Sequence, residues 1–106
     1  MNVNIVKIMH ARNLITRNEA AEQYGCTTRT IDNKLKEIEK EIEAGRYPKE
    51  FTITKVGGIK VVNYLVLVDY MNYADRLKEK NLRKHVPPYD PVEVAKSLGW
   101  YIENVS

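Results

Sequence analysis

Ala20-Ala21-Glu22-Gln23-Tyr24-Gly25-Cys26-Thr27-Thr28-Arg29-Thr30-Ile31-Asp32-Asn33-Lys34-Leu35 is the stretch on which the reading of this chain turns. It predicts two helices joined by a tight turn, the first closing at Gly25 and the second capped by Thr27 or Thr28. Ala21 is small where two helices must cross closely, Gly25 permits a left-handed backbone, and Cys26 is a compact apolar plug beneath the turn. Ile31, Leu35, Ile38 and Ile42 recur at spacings of four, three and four and form one apolar stripe that anchors the second helix. With that stripe buried, Thr28, Arg29, Asp32, Asn33 and Lys36 are expected on the opposite face. That face is polar, mixed in charge and suited to base edges: Arg29 has the donor fork for a guanine, Asn33 the donor and acceptor for an adenine, and Thr28 and Lys36 suit phosphates on either side. An ordinary helical hairpin also turns charges to solvent, but here the small residue, glycine, cap and apolar anchors all fall in register.

Outward from this motif, Val3, Ile5, Val6, Ile8 and Met9 are spaced for a short helix about as well as for a strand, and are read as helix. Leu14-Ile15 is a brief apolar pair before two possible N-caps, Thr16 and Asn18, with Glu19 and Glu22 favourably placed in the early turns. On the other side, the second helix should run to about Ala44 and stop at Gly45. Phe51, Ile53, Ile59, Val61 and Val62 flank Val56-Gly57-Gly58, which predicts two short strands around a glycine turn. Asn63 can cap a second long helix in which Val66, Tyr70, Tyr73 and Leu77 share a face widened by Leu67 and Ala74, ending near Asn81. Two prolines, Pro87-Pro88, prevent the helix from continuing, and Asp90-Pro91 opens a final short helix, Val92–Leu98, closed by Gly99.

The 106 residues suit one domain, and 43% apolar with 29% charged residues is the balance of a folded globular chain. Seventeen Lys and Arg against 14 Asp and Glu give a net charge of +3, which permits a nucleic-acid partner without proving one. The lone Cys26 can form no internal disulfide and has no ligand-spaced neighbours, so the expectation is an intracellular, cytoplasmic chain with no metal and no cofactor. Met1–Arg12 lacks a signal-peptide pattern, and the longest apolar run, Leu65–Val68, is too short to span a bilayer. His10 and His85 are far apart, no nucleophile and base share a suggestive spacing, and phosphate-loop and dinucleotide-binding glycine patterns are absent. An enzyme is not expected.

Asn4–Leu35 resembles the amino-terminal domain of winged helix-turn-helix regulators of the deoR-like and biotin-repressor-like type. The residues that carry the resemblance are Ile8, Leu14-Ile15, Ala20-Ala21, Tyr24-Gly25-Cys26-Thr27, Thr30-Ile31 and Leu35. It implies that the second helix of the motif enters the major groove of double-stranded DNA and that a glycine-containing hairpin follows as a wing. Thr52–Val62, with Gly57-Gly58 at its tip and Lys55 and Lys60 beside it, sits where such a wing would be. Beyond residue 63 no sensor domain is expected. Tyr64–Pro91, with Asp69-Tyr70-Met71, Leu77-Lys78, Lys80-Asn81, Arg83-Lys84 and Val86-Pro87-Pro88-Tyr89, is similar to the tail of small Gram-positive prophage proteins described as excisionase-like or Cox-like. That similarity implies a factor that bends DNA near an attachment site and biases an integrase, or one that represses a promoter.

The expected fold class is therefore mainly α, a winged helix-turn-helix with a small β-hairpin and additional C-terminal helices. Residues 1–63 form the DNA-binding region, and 64–106 a helix and tail that pack on it or mediate self-association. Arg17, Lys34, Arg83 and Lys84 are further candidates for phosphates; for the basic run around Arg83, a solvated helix end is the competing reading. A single recognition helix reads few base pairs, so a homo-oligomer is expected, with Tyr70, Tyr73 and Leu77 as its contact and the tail around Trp100 as a second. The competing class of function is a helix-turn-helix-like protein-interaction module that binds no DNA.

Overall fold

The computed structural model describes residues 14–50 and 52–99. The expected helix at Val3–Met9, together with Phe51, Trp100 and Tyr101, lies outside them. The described chain is mainly helical with a small antiparallel sheet. In order it runs β1 (Leu14–Thr16), α1 (Arg17–Tyr24), α2 (Thr28–Glu43), β2 (Ile53–Val56), β3 (Ile59–Asn63), α3 (Tyr64–Lys78), α4 (Lys80–Arg83) and α5 (Pro91–Ser97).

The caps fall where short-range chemistry places them. Thr16, not Asn18, caps α1: its hydroxyl accepts from the Glu19 N–H at 3.1 Å while Glu19 Oε1 accepts from the Thr16 N–H at 3.2 Å, a reciprocal capping box. At the other end Gly25 adopts φ 63° and ψ 38°. The Gly25 N–H donates to Glu22 O and the Cys26 N–H to Ala21 O, the paired bonds of a Schellman turn. Cys26 packs half-buried against the core. Thr27 then caps α2, accepting from the Thr30 N–H at 3.2 Å.

Gly25→Ala is expected to cost about 1–2 kcal/mol, since only the left-handed backbone opposes the new methyl; a Cβ there would meet no atom within 4 Å. Urea unfolding measures this, and an unchanged midpoint would mean that the turn does not depend on the left-handed residue.

β1 was not foreseen. Leu14-Ile15 is too short to show a period, and it becomes a strand only because β3 lies beside it. The strand order is β1-β3-β2, antiparallel throughout, with Ile15 opposite Val62 and Ile53 opposite the same Val62 on the other side. β-branched Val61 and Val62 occupy the central strand, where they fit best.

Asn63 caps α3 by accepting from Leu65 N–H at 2.8 Å and Val66 N–H at 3.4 Å. The helix stops at Lys78, three residues before the expected end, because Glu79 is extended (φ −97°, ψ 114°). After the single turn of α4, Arg83 Nη1 returns to donate to Leu77 O at 3.1 Å, satisfying a carbonyl at the end of α3. Asp90 caps α5 through the Val92 N–H at 3.0 Å, with Pro91 at the first helical position.

The α2 and α3 stripes meet in one core. Ile31, Leu35 and Ile38 are 0–1% exposed, and they cluster with Val62, Val66, Leu67, Tyr70, Ala74 and Leu77. This corrects the self-association surface: Tyr70 is 2% and Leu77 6% exposed, so both serve the chain's own core. Tyr73 is only half-buried, and the Arg46 and Arg76 guanidiniums both lie over its ring, 5.7 and 5.5 Å from its centroid. Among the described residues no helix is long and apolar enough to cross a membrane, and no group of three or more His, Cys, Asp or Glu could hold a metal ion.

Candidate nucleic-acid interface

The anchoring of α2 by Ile31, Leu35 and Ile38 forces the residues roughly half a turn away to the surface. Arg29, Asn33, Lys36 and Lys40 occupy that line and all four are exposed. The two flanks of the helix carry acids, and other elements supply partners for four of the five, leaving Glu43 without an ion pair to another described residue. On the flank nearer the sheet, Asp32 Oδ2 pairs with Arg17 Nη1 at 3.0 Å and Glu39 Oε1 with Lys60 Nζ at 3.0 Å. On the flank facing α3, Glu37 pairs with Lys78 at 2.5 Å and Lys34 at 3.6 Å, and Glu41 accepts both terminal nitrogens of Arg83 at 2.5 and 2.7 Å.

Burial raises the Glu37 pKa, but its bonds and charge attraction to Lys78 and Lys34 outweigh that and hold it below the ordinary value of 4.5. Because the folded value is depressed, this seam contributes fully above that ordinary value and is lost as pH falls through the lower folded one. With four acids so engaged, Arg29, Lys36 and Lys40 are the α2 cations that make no ion pair with other described residues. The outward line of α2 is thus positive, with Asn33 in its middle.

The expected site residues divide accordingly. Arg29, Asn33 and Lys36 share the outward line. Thr28 is half-buried and lies towards a flank, because Thr27 takes the cap and Thr28 begins the helix. Asp32 and Arg17 hold each other across α1 and α2; with side chains 36% and 48% exposed, that surface pair contributes little to stability. Lys34 and Arg83 lie at the α2–α3 seam and not on the outward line: Lys34 is 3.6 Å from Glu37, which it shares with Lys78, and Arg83 is paired with Glu41. Lys84 and Lys55 are exposed. Lys60 stands opposite Lys55 across the hairpin and is tethered to Glu39, which fixes the hairpin beside α2.

Sequence reasoning missed Lys40. Its signal was present, since it continues the line four residues beyond Lys36, but the alternating charges of Lys36–Glu43 read as a uniform solvent face. The periodicity could not show which charges a neighbouring element would neutralise.

A second cluster supports this surface from behind. Arg46, just past the end of α2, has a side chain only 8% exposed, and Asp69 on α3 one only 4% exposed. Asp69 Oδ2 accepts from Arg46 Nη2 at 2.8 Å, Arg46 Nε at 3.2 Å and Tyr47 Oη at 2.6 Å, while Arg46 Nη1 donates to Pro87 O at 2.8 Å. Burial pushes the Tyr47 phenol well above its usual range, and its bond to the Asp69 carboxylate pushes the same way, so it remains a donor. The Tyr89 ring meets Tyr47 edge-on at 5.1 Å. This cluster ties the end of α2 and the segment before α5 to α3.

Comparison with known protein families, characterised proteins and solved structures finds no match.

Proposed function

We propose that this chain is a sequence-specific double-stranded DNA-binding protein that lays α2 in the major groove, with the β2–β3 hairpin beside it as a wing. The observation that carries the reading is the pattern of charge on α2: four of its five acids, all but Glu43, are paired with cations that other elements supply, and the exposed line Arg29, Asn33, Lys36 and Lys40 is left positive. Arg29 and Asn33 have the geometry for base edges, and Lys36 and Lys40 the charge for phosphates. The order strand, helix, turn, helix, hairpin, with sheet order β1-β3-β2, supports a winged helix-turn-helix.

Within that class we favour a phage or mobile-element regulator acting in a bacterial cytoplasm, either an excisionase-like factor working with an integrase or a promoter-binding repressor. Its carboxy-terminal half is what resembles such proteins. It binds as more than one copy, because one short helix reads too few base pairs, but through a surface other than Tyr70 and Leu77.

The test is fluorescence anisotropy with a duplex selected from a random pool and a scrambled control, each titrated over a range of salt. Affinity should fall steeply with salt and favour the selected duplex. Changing Lys55 and Lys60 to Gln should lower the salt slope by about 1–2 and weaken both duplexes alike, as phosphate contacts do. An unchanged slope would remove the wing from the interface. No duplex binding at low salt would leave the motif as a protein-interaction hairpin.

A further inference from the structure

The β2–β3 hairpin has two unlike faces. Gly57 and Gly58 make its tip, with φ of 58° and 82°, the two positive values of a type I′ turn. Directly behind them, Val56 and Ile59 are cross-strand partners, 57% and 58% exposed. The other large apolar side chains exposed among the described residues, Tyr24 and Leu82, belong to separate helices, α1 and α4. The next pair on the hairpin, Lys55 opposite Lys60, lies on the other face by the alternation of a strand. Lys60 Nζ is held by Glu39 Oε1 of α2 at 3.0 Å, so the lysine face is turned to α2. Val56 and Ile59 are turned away from α2, with Thr54 and Val61 next along the same face.

We infer that Val56 and Ile59 form the contact between two copies of this chain bound side by side on one duplex, hairpin to hairpin about a two-fold axis. The inference rests on the DNA-binding reading above and names the surface through which its second copy is met. A two-fold contact sets a patch against itself, so it suits a patch without charge. This face carries Thr54, Val56, Ile59 and Val61, while both lysines are on the other, so it offers no cation to a phosphate or a lipid headgroup. Gly57 and Gly58 have no side chain to hold a second hairpin off, and a Cβ on either would meet no atom within 4 Å, so the tip stands clear for close approach. The area fits a contact made only on DNA. Burying what is exposed of both apolar pairs removes on the order of 300 Å², far short of the roughly 1,200 Å² of a stable interface. Free copies are not held together by so little; copies that the duplex has already placed beside each other are, because DNA binding has taken up most of the loss of freedom. The two-fold axis also fixes the layout of the target: two elements in inverted orientation, with the hairpins facing the centre.

The experiment titrates the whole chain against duplexes carrying the selected element once, twice inverted, or twice in direct repeat, with centre-to-centre spacings of about 10 to 20 base pairs. Gel shifts count the copies bound. On the inverted pair at its best spacing, the second parent copy should bind on the order of 10- to 100-fold tighter than the first, with no gain on the direct repeat. Val56→Thr with Ile59→Thr keeps the branched Cβ and the strand preference while removing apolar surface. That double variant should bind the single element as the parent does, with the same salt slope, and fill the inverted pair independently. Ile59→Lys, which brings like charges together only in the pair, should do the same, so a folding defect in one variant leaves the other to decide. Independent filling by the parent, cooperativity confined to direct repeats, or cooperativity that survives both variants would overturn the pairing and leave the DNA-binding reading intact. Single-element affinity lost in both variants, with helical circular dichroism unchanged, would put the tip against DNA and likewise overturn it. A parent that binds no duplex would overturn both readings.

Discussion

Replacing Asp69 with alanine is expected to cost about 3–5 kcal/mol of folding stability, the loss typical when one member of a buried ion pair is removed. The size follows from what remains. Arg46 keeps a buried guanidinium whose Nη2 has lost its acceptor and whose Nε keeps only the Tyr47 hydroxyl at 3.4 Å, and that hydroxyl loses its 2.6 Å bond to the same Asp69 oxygen. The contacts of Arg46 with the Tyr47 and Tyr73 rings, 5.5 and 5.7 Å from their centroids, cannot replace a counter-charge. Urea unfolding of Asp69→Ala, Arg46→Met and the combined Arg46→Met with Asp69→Ala forms the cycle. The double variant should lose less than the two single variants together, because it leaves no unpaired charge behind. Additive losses, or a loss below about 1 kcal/mol for Asp69→Ala, would show that the pair is not desolvated as its burial requires. Tyr47→Phe should be the mildest change in the cluster, at about 1 kcal/mol, since it removes the hydroxyl's bonds to Asp69 and Arg46 but leaves the charges matched.

The second large effect is on recognition. Arg29→Ala and Asn33→Ala should each weaken binding to the selected duplex by about 1–3 kcal/mol, with little change for the scrambled duplex. Both side chains are exposed and away from the Ile31, Leu35 and Ile38 anchor, so stability should stay within about 0.5 kcal/mol of the parent. Lys36→Ala and Lys40→Ala should behave differently, weakening both duplexes alike and each lowering the salt slope by about 0.9. If Arg29→Ala and Asn33→Ala bind the selected duplex as the parent does at fixed salt, this line of α2 is not the reader. Loss of discrimination without loss of slope would separate base contact from charge.

The residues already legible in the sequence are those whose partners lie within one turn. Thr16 meets Glu19, Thr27 meets Thr30, Asn63 meets Leu65 and Asp90 meets Val92, all at separations of two or three residues. Gly25 adopts the left-handed backbone that its missing Cβ allows, and the spacing of Ile31, Leu35 and Ile38 dictates which side of α2 is buried. These choices are local, so a sequence reading reaches them: two helices about a glycine turn, the hairpin at Gly57-Gly58, and Arg29, Asn33 and Lys36 on the outward face.

Only the tertiary structure decided which surfaces and charges were left over. Leu14–Thr16 becomes a strand because Val61–Asn63 arrives beside it, and Tyr70 and Leu77 are buried because the α2 stripe packs on α3. Arg83 is taken by Glu41 and Lys60 by Glu39, partners 42 and 21 residues away. Asp69 finds Arg46 at a separation of 23. Periodicity shows which side of a helix is apolar, but an ion pair depends on what the fold brings opposite each charge. For that reason Lys40 emerged as a candidate and Lys34 and Arg83 receded only once the flanks of α2 could be seen paired.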